Sequence, residues 1–286
     1  MFRLLSLGLL QALMVVLLVA ALTFLSIIAQ SDASLPPDQS VMLLYFGRIG
    51  ELLSVELGNS LVSGKPVLDT VIHGLGRSIP LAFGAVILAL LIGTPLGIMA
   101  GLHRGGWLDR ALLIISTAIR AIPQFVLGVI LILIFAVALT VLPPHGHATF
   151  AHSILPTATL AVGLVAVSSS VVRDATLAAT SAPHYAAGRL QGLSAFTVFS
   201  QHGWHAIRGP LVTGLSGQLV YLMEGIIVVE TVFAWPGIGL ELVRAIVERD
   251  SRMMQGSALA IGLMFVLLKT IVDLANHCID SRRRNL

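Results

Sequence analysis

Six long apolar runs divide this chain: Leu4–Ala29, Ile79–Leu102, Leu112–Leu142, Ile154–Val172, Leu211–Phe233 and Ser257–Leu274. Each is too long for a buried strand. Each can satisfy its own backbone hydrogen bonds as a helix, which a bilayer interior demands. The pattern predicts an all-α integral membrane protein with six transmembrane helices. Pro123 lies inside the third run and is expected to kink or break it, since proline lacks an N–H. The first run follows Arg3 as a signal peptide would. Its 26 residues exceed the roughly 7–15 of a signal's apolar region, so it reads as a retained helix.

The polar intervals set the orientation. With the N-terminus inside, the inner segments hold Arg3, Arg104, Arg110, Arg173, Arg189, Arg208, Arg282, Arg283 and Arg284. The outer segments hold Arg48, Lys65, Arg77, Arg244, Arg249 and Arg252. Basic residues concentrate on the cytoplasmic side, so both termini are expected in the cytoplasm. The chain then divides into residues 1–78, the first helix with an outer segment, and residues 79–286. The second part is a five-helix core with a cytoplasmic loop at 173–210. Leu35–Ser40 marks a break in the outer segment.

Composition agrees with this class. The chain is 56% hydrophobic and 11% charged, with mean hydropathy +0.95, against about 25% charged in a soluble domain. The net charge of +3 is too small to imply nucleic acid, and lipid headgroups account for the dispersed basic residues. The single cysteine, Cys278, excludes an intramolecular disulfide and a multi-cysteine metal site.

The polar stretch Ser181–Pro210 is longer than a connector needs. Ala186, Ala187 and Gly188 place small side chains on one turn of an expected helix, following His184 and Tyr185. Gly192 suits a helix end, Ser194 an N-cap, and Pro210 leads into the fifth span. The stretch reads as a docking surface for a soluble partner. An amphipathic helix lying on the membrane is the alternative.

Here a resemblance applies. HYAAGRLQGLS followed by His202 and Pro210 resembles the cytoplasmic coupling loop of ABC-importer permeases of the dipeptide/oligopeptide/nickel family. Gly192, Leu193, His202 and Pro210 fit its spacing. GNSLVSGKPVLDTV (Gly58–Val71), GTPLGIMAGLHRGGWLDR (Gly93–Arg110), IPQF (Ile122–Phe125) and VVETVFAWPGIG (Val228–Gly239) resemble other stretches of that family, as does IVDLANHCIDSRRR. KPVLD, FAWPG and RLQGL look closest to its nickel and metal–opine chelate branch. There are departures. The loop lacks the motif's acidic residue, Ala206 stands where an asparagine is common, and the outer segment is short.

The resemblance implies a permease subunit of an ATP-driven importer in a bacterial inner membrane, forming half of a pathway for nickel or a metal chelate. Import of di- or oligopeptides is the alternative. A second homologous permease, two ATPase subunits and an extracytoplasmic binding protein are the implied partners, with membrane lipid around them. The ATPases would engage His184 to Gly188, Gly192, Leu193, His202 and Pro210. The chain has no GxxxxGK[ST] phosphate loop. ATP and Mg are therefore expected on the partner subunits, and no cofactor or enzymatic site on this chain.

Charges within apolar runs are costly unless they face protein or water. Arg120, Pro123 and Glu224 are candidates for the translocation path. Glu224 suits a cationic or amine-bearing substrate; a protonated or snorkelling acid is the alternative. Glu230, Trp235, Pro236 and Gly237 suggest a structural turn. Lys269 and Asp273, four residues apart, suit an ion pair on one helix face. His145, His147 and His152 are weak metal candidates, since an exposed polar loop explains them as well. GLSG at Gly214–Gly217, with His277, suggests a remote alternative, an intramembrane serine protease using Ser216 and His277. Close helix packing explains GLSG equally well.

Overall fold

The computed structural model describes residues 2–30 and 57–284. The break expected at Leu35–Ser40 lies outside them. The described elements are helical. α1 is Phe2–Gln30 and α2 is Val67–Leu88. A π-helical turn at Ala89–Gly93 carries α2 into α3, Thr94–Leu102. α4 is Trp107–Ala121 and α5 is Gln124–Leu131, extended by a π-helical stretch at Ile132–Ala138. α6 is Ala151–Thr180, α7 Pro183–Leu190 and α8 Ala195–Val198. α9 is Trp204–Val232, α10 Ile238–Val247 and α11 Ser251–Arg284.

The expectation of six transmembrane helices is corrected. Among the described residues, four helical stretches are long and apolar enough to span: Val67–Leu102, Ala151–Thr180, Ala206–Val232 and Ser251–His277. The count reaches five if the pair Trp107–Ala121 and Gln124–Ala138 forms one span. That pair bends by 104°. Ile122 has extended backbone angles of −86° and 125° before Pro123, as the residue before proline prefers. The third apolar run is therefore two helices meeting at a corner. From the first run, the apolar helical segment identified is Leu7–Ala21, shorter than a span.

The core joins α2, α6, α9 and α11 through Leu81, Leu160, Leu164, Leu222, Ile226 and Met264. α1 lies against α11, with Val16, Val19 and Ala20 packed on Leu259. α3 packs closely on α6. Gly93, Gly97 and Gly101 form one stripe on this helix. A Cβ at Gly97 would sit 2.5 Å from the Ser169 carbonyl oxygen, and one at Gly101 would sit 2.6 Å from Thr176 Cβ. Small residues let membrane helices touch, where van der Waals contact rather than water exclusion drives association. The hydroxyls on α6 turn inward to their own helix: Ser168 Oγ donates to Leu164 O at 2.6 Å and Thr176 Oγ1 to Val172 O at 2.8 Å. This satisfies them without a polar partner across the interface.

Candidate functional site

Two constructions stand at opposite ends of the bundle. The first is a buried knot at the end of α9. The fully buried Glu230 accepts hydrogen bonds from Ser78 Oγ at 2.5 Å, Gly239 N at 2.7 Å and Leu240 N at 3.2 Å. Its carboxylate thus caps the free amides that open α10. Ser78 Oγ also accepts from Ile238 N at 2.9 Å, so α2 is tied to the same turn. Trp235 Nε1 donates to Arg77 O at 3.3 Å, and Arg77 Nη1 donates to Pro236 O at 3.2 Å. Ala234 turns the chain with φ of 47°. Gly237 is required for a different reason: a Cβ there would collide with the Glu230 carboxylate.

Beside the knot, the segment before α2 folds back through an isolated bridge between Asn59 and Pro66. Asp250 pins this hairpin. It accepts from Ser60 Oγ at 2.5 Å and Val62 N at 3.4 Å, and caps α11 by accepting from Met253 N at 3.0 Å. Burial on its own would raise the Asp250 pKa. The Ser60 hydroxyl and the amides of Met253, Leu61 and Val62 outweigh it and hold the carboxyl below its ordinary value. A depressed carboxyl pKa stabilises the fold above the unfolded value, and that contribution is lost as pH falls through the folded pKa. The melting temperature of the purified protein is therefore expected to fall as pH drops below about 4, the ordinary Asp range. Asp250→Asn is expected to melt lower at neutral pH and to lose part of this acid response. An identical pH profile for variant and wild type would exclude the role.

The second construction lies between α6 and α9. α7 begins with Pro183 at its first position, as helix starts favour. It ends where Gly192 adopts φ of 84°, with Gly192 N bonded to Arg189 O at 3.1 Å and Leu193 N to Gly188 O at 3.3 Å. These bonds use up the last carbonyls of the helix. Arg189 Nη1 donates to Leu193 O at 2.6 Å. Ser194 caps α8 by accepting from Thr197 N at 3.0 Å. A Cβ at Gly188 would meet Val198 within 3.1 Å, so α7 lies close on α8. A π-helical turn at Phe199–Gly203, holding His202, then leads into α9, with Pro210 inside that helix. Phe199 and Ile207 bury against Val172 and Ala179 of α6, with Tyr185 packed at the edge. The outer face is bare: Ala186, Ala187 and Gly192 are exposed, and Leu190 is 89% exposed.

These features belong together with a match over most of the chain. A family model described as the binding-protein-dependent transport system inner membrane component matches residues 93–285. The chain belongs to this family. It is 33% identical to a probable peptide ABC transporter permease protein, y4tP, of Sinorhizobium fredii, over 82% of this chain and 77% of that protein. It is 32% identical to the glutathione transport system permease protein GsiC of Escherichia coli, over 86% of this chain and 81% of that one. The GsiC of Salmonella choleraesuis is 31% identical over 90% of this chain and 84% of its own length. The protein is therefore an ABC-importer permease subunit, a multi-pass protein of the bacterial inner-membrane type.

Arg120, Pro123 and Glu224 of the permease are all exposed on the isolated chain. No ion pair joins Arg120 or Glu224 to another described residue, and none joins Lys269 to Asp273. Around the histidines, Gly146 N donates to Phe233 O at 3.1 Å, and His147 meets Trp235 edge-on at 6.3 Å. His152 Nδ1 lies 2.9 Å from Thr149 Oγ1. Among the described residues, no group of three or more His, Cys, Asp or Glu side chains gathers to hold a metal. Ser216 Oγ is buried without a hydrogen-bond partner among the described residues, so the protease reading lacks the base contact it requires.

One pair escaped the sequence reading. Arg173 grips Asp109 through Nε to Oδ1 and through Nη2 to Oδ2 at 3.1 Å, while Asp109 Oδ2 accepts from Gly105 N at 2.8 Å. This fork ties the α3–α4 turn to α6, near the end from which α7 departs. The partners are 64 residues apart, and the quoted motif GGWLDR contained Asp109 without showing what it bonds.

Proposed function

We propose that the permease forms one half of the pathway of a peptide importer, and that α7 is the surface through which ATPase subunits drive it. The observation that carries this is the bare small-residue face of α7, suspended between two membrane-spanning helices. In this reading a binding protein delivers substrate to the outer face, at the Asn59–Pro66 hairpin, the loop Pro143–His152 and the segment Ala234–Gly256. Two ATPase subunits carrying ATP and Mg sit inside, against His184, Tyr185, Ala186, Ala187, Gly188, Gly192 and Leu193. Their motion passes through the turn at His202 and the helix at Pro210. A second homologous permease completes the path.

Arg120, Pro123 and Glu224 border that path. Glu224 offers a carboxylate to a peptide ammonium group, while a neutral donor or Arg120 can meet the opposite end. The named relatives act on peptide and glutathione, which favours peptide over nickel or a metal chelate.

Ala187→Glu tests the coupling surface, because it adds a charge to an exposed position and leaves the core untouched. It is expected to lower dipeptide uptake in whole cells at least about tenfold, as loss of a central contact does, and to strip the ATPases from the tagged permease. Uptake and co-purification at wild-type levels would remove α7 from the interface. Nickel uptake measured in the same strains separates the two substrate readings.

A further inference from the structure

Gln124 lies next to the proposed path-lining Pro123, and no interaction above explains it. It follows Pro123 at the corner between α4 and α5, and its Nε2 is buried without a partner among the described residues. Its amide lies against Gly225 of α9: a Cβ there would stand 2.5 Å from Oε1 and 2.7 Å from Nε2. The neighbour of Gly225 is the exposed Glu224. Buried polar groups are nearly always partnered, and orphans in an apolar span are the most costly of all. The enclosed orphan donor packs against the residue next to an exposed acid, so a ligand supplies its acceptor when the α4–α5 corner opens towards the path.

We infer that Gln124 is a specificity-determining residue for the peptide proposed above. Its Nε2–H donates to a peptide oxygen, while Glu224 faces the ammonium end. The inference rests on the peptide reading. Its chemistry suits transport, because a neutral carboxamide holds an oxygen without the deep well that an arginine fork creates. Gly225 provides the room, since any side chain there would push the amide aside. The acceptor is a backbone carbonyl or the C-terminal carboxylate, and both present the same lone pairs to the amide.

The test uses the assembled importer in proteoliposomes, with L-alanyl-L-alanine and its C-terminal amide as probes. Gln124→Glu keeps the side chain's size and removes the donor. Gly225→Ala keeps Gln124 and displaces it. Each is expected to raise the dipeptide KM about tenfold, the effect of one lost buried hydrogen bond. If the carboxylate is the acceptor, the penalty disappears with the amidated dipeptide. If a carbonyl is, the penalty persists; both results support the assignment. Wild-type KM values in both variants overturn it, as does an effect confined to the yield of assembled complex. A wild-type importer that moves no dipeptide overturns the peptide reading first, and the inference with it, before any variant is made.

Discussion

Glu230→Ala is expected to cost the permease most of its stability. The substitution leaves the amides of Gly239 and Leu240 without their acceptor in a fully enclosed site, and leaves the Ser78 hydroxyl with Gly74 O alone. Each buried donor left unmade costs about 1–3 kcal/mol, so the loss is on the order of 4 kcal/mol. That is comparable with the whole stability of many proteins, about 5–15 kcal/mol. It also loosens three segments at once, because α2, α9 and α10 are all tied to this carboxylate. Glu230→Gln keeps the shape and one acceptor oxygen, so it is expected to fall between alanine and wild type. Thermal melting in detergent, followed by size-exclusion chromatography, measures the series. An alanine variant melting within about 2 °C of wild type, a shift equivalent to about 1 kcal/mol in a chain of this length, would show that the knot is not what holds this end.

Gly97→Leu is expected to prevent accumulation of folded protein. A Cβ at this position meets the Ser169 carbonyl oxygen at 2.5 Å, Val172 Cβ at 2.7 Å and Arg173 N at 3.0 Å. Two of these are backbone atoms and cannot swing away. The helices must separate, and even modest overpacking costs about 1–3 kcal/mol. Separation also carries Arg173 away from Asp109 and loosens the base of the α7 segment. Gly76→Ala is the control, since nothing lies within 4 Å of a Cβ there. Gly97→Ala should weaken the protein and Gly97→Leu abolish it, while Gly76→Ala should accumulate normally, as read by immunoblot of membrane fractions. Normal accumulation of Gly97→Leu would mean that α3 and α6 have an alternative packing.

Helix termini around α7 were legible because their signals are local. Gly192 with φ of 84° and Ser194 bonded to Thr197 N follow from residue type and spacing alone. The start of α2 was misplaced by twelve residues for an equally physical reason. Asp69, His73 and Arg77 make Val67–Ser78 look like an outer loop, but a helix runs on past its apolar part when its polar residues need no lipid contact. The third apolar run was read as one span with a kink or break at Pro123. The size of that bend was invisible, because proline permits a range of angles and packing against α9 and α6 selects 104°.

Of the candidate residues, Glu230 could be read as a turn residue from the WPG beside it. Its partner Ser78 lies 152 residues away and Asp250 lies 190 residues from Ser60. Gln124 carried no local signal at all, since an amide after a proline is ordinary in sequence. Composition and apolar run length by themselves determined that this is a helical membrane protein with a polar segment set apart on one side. They do so because a bilayer imposes the same constraint on every spanning residue. Only the tertiary structure decided which carboxylate is caged, which glycine is a contact and where the chain turns a corner. Those depend on pairs of residues far apart in sequence, and a pair has no pattern until the fold brings it together.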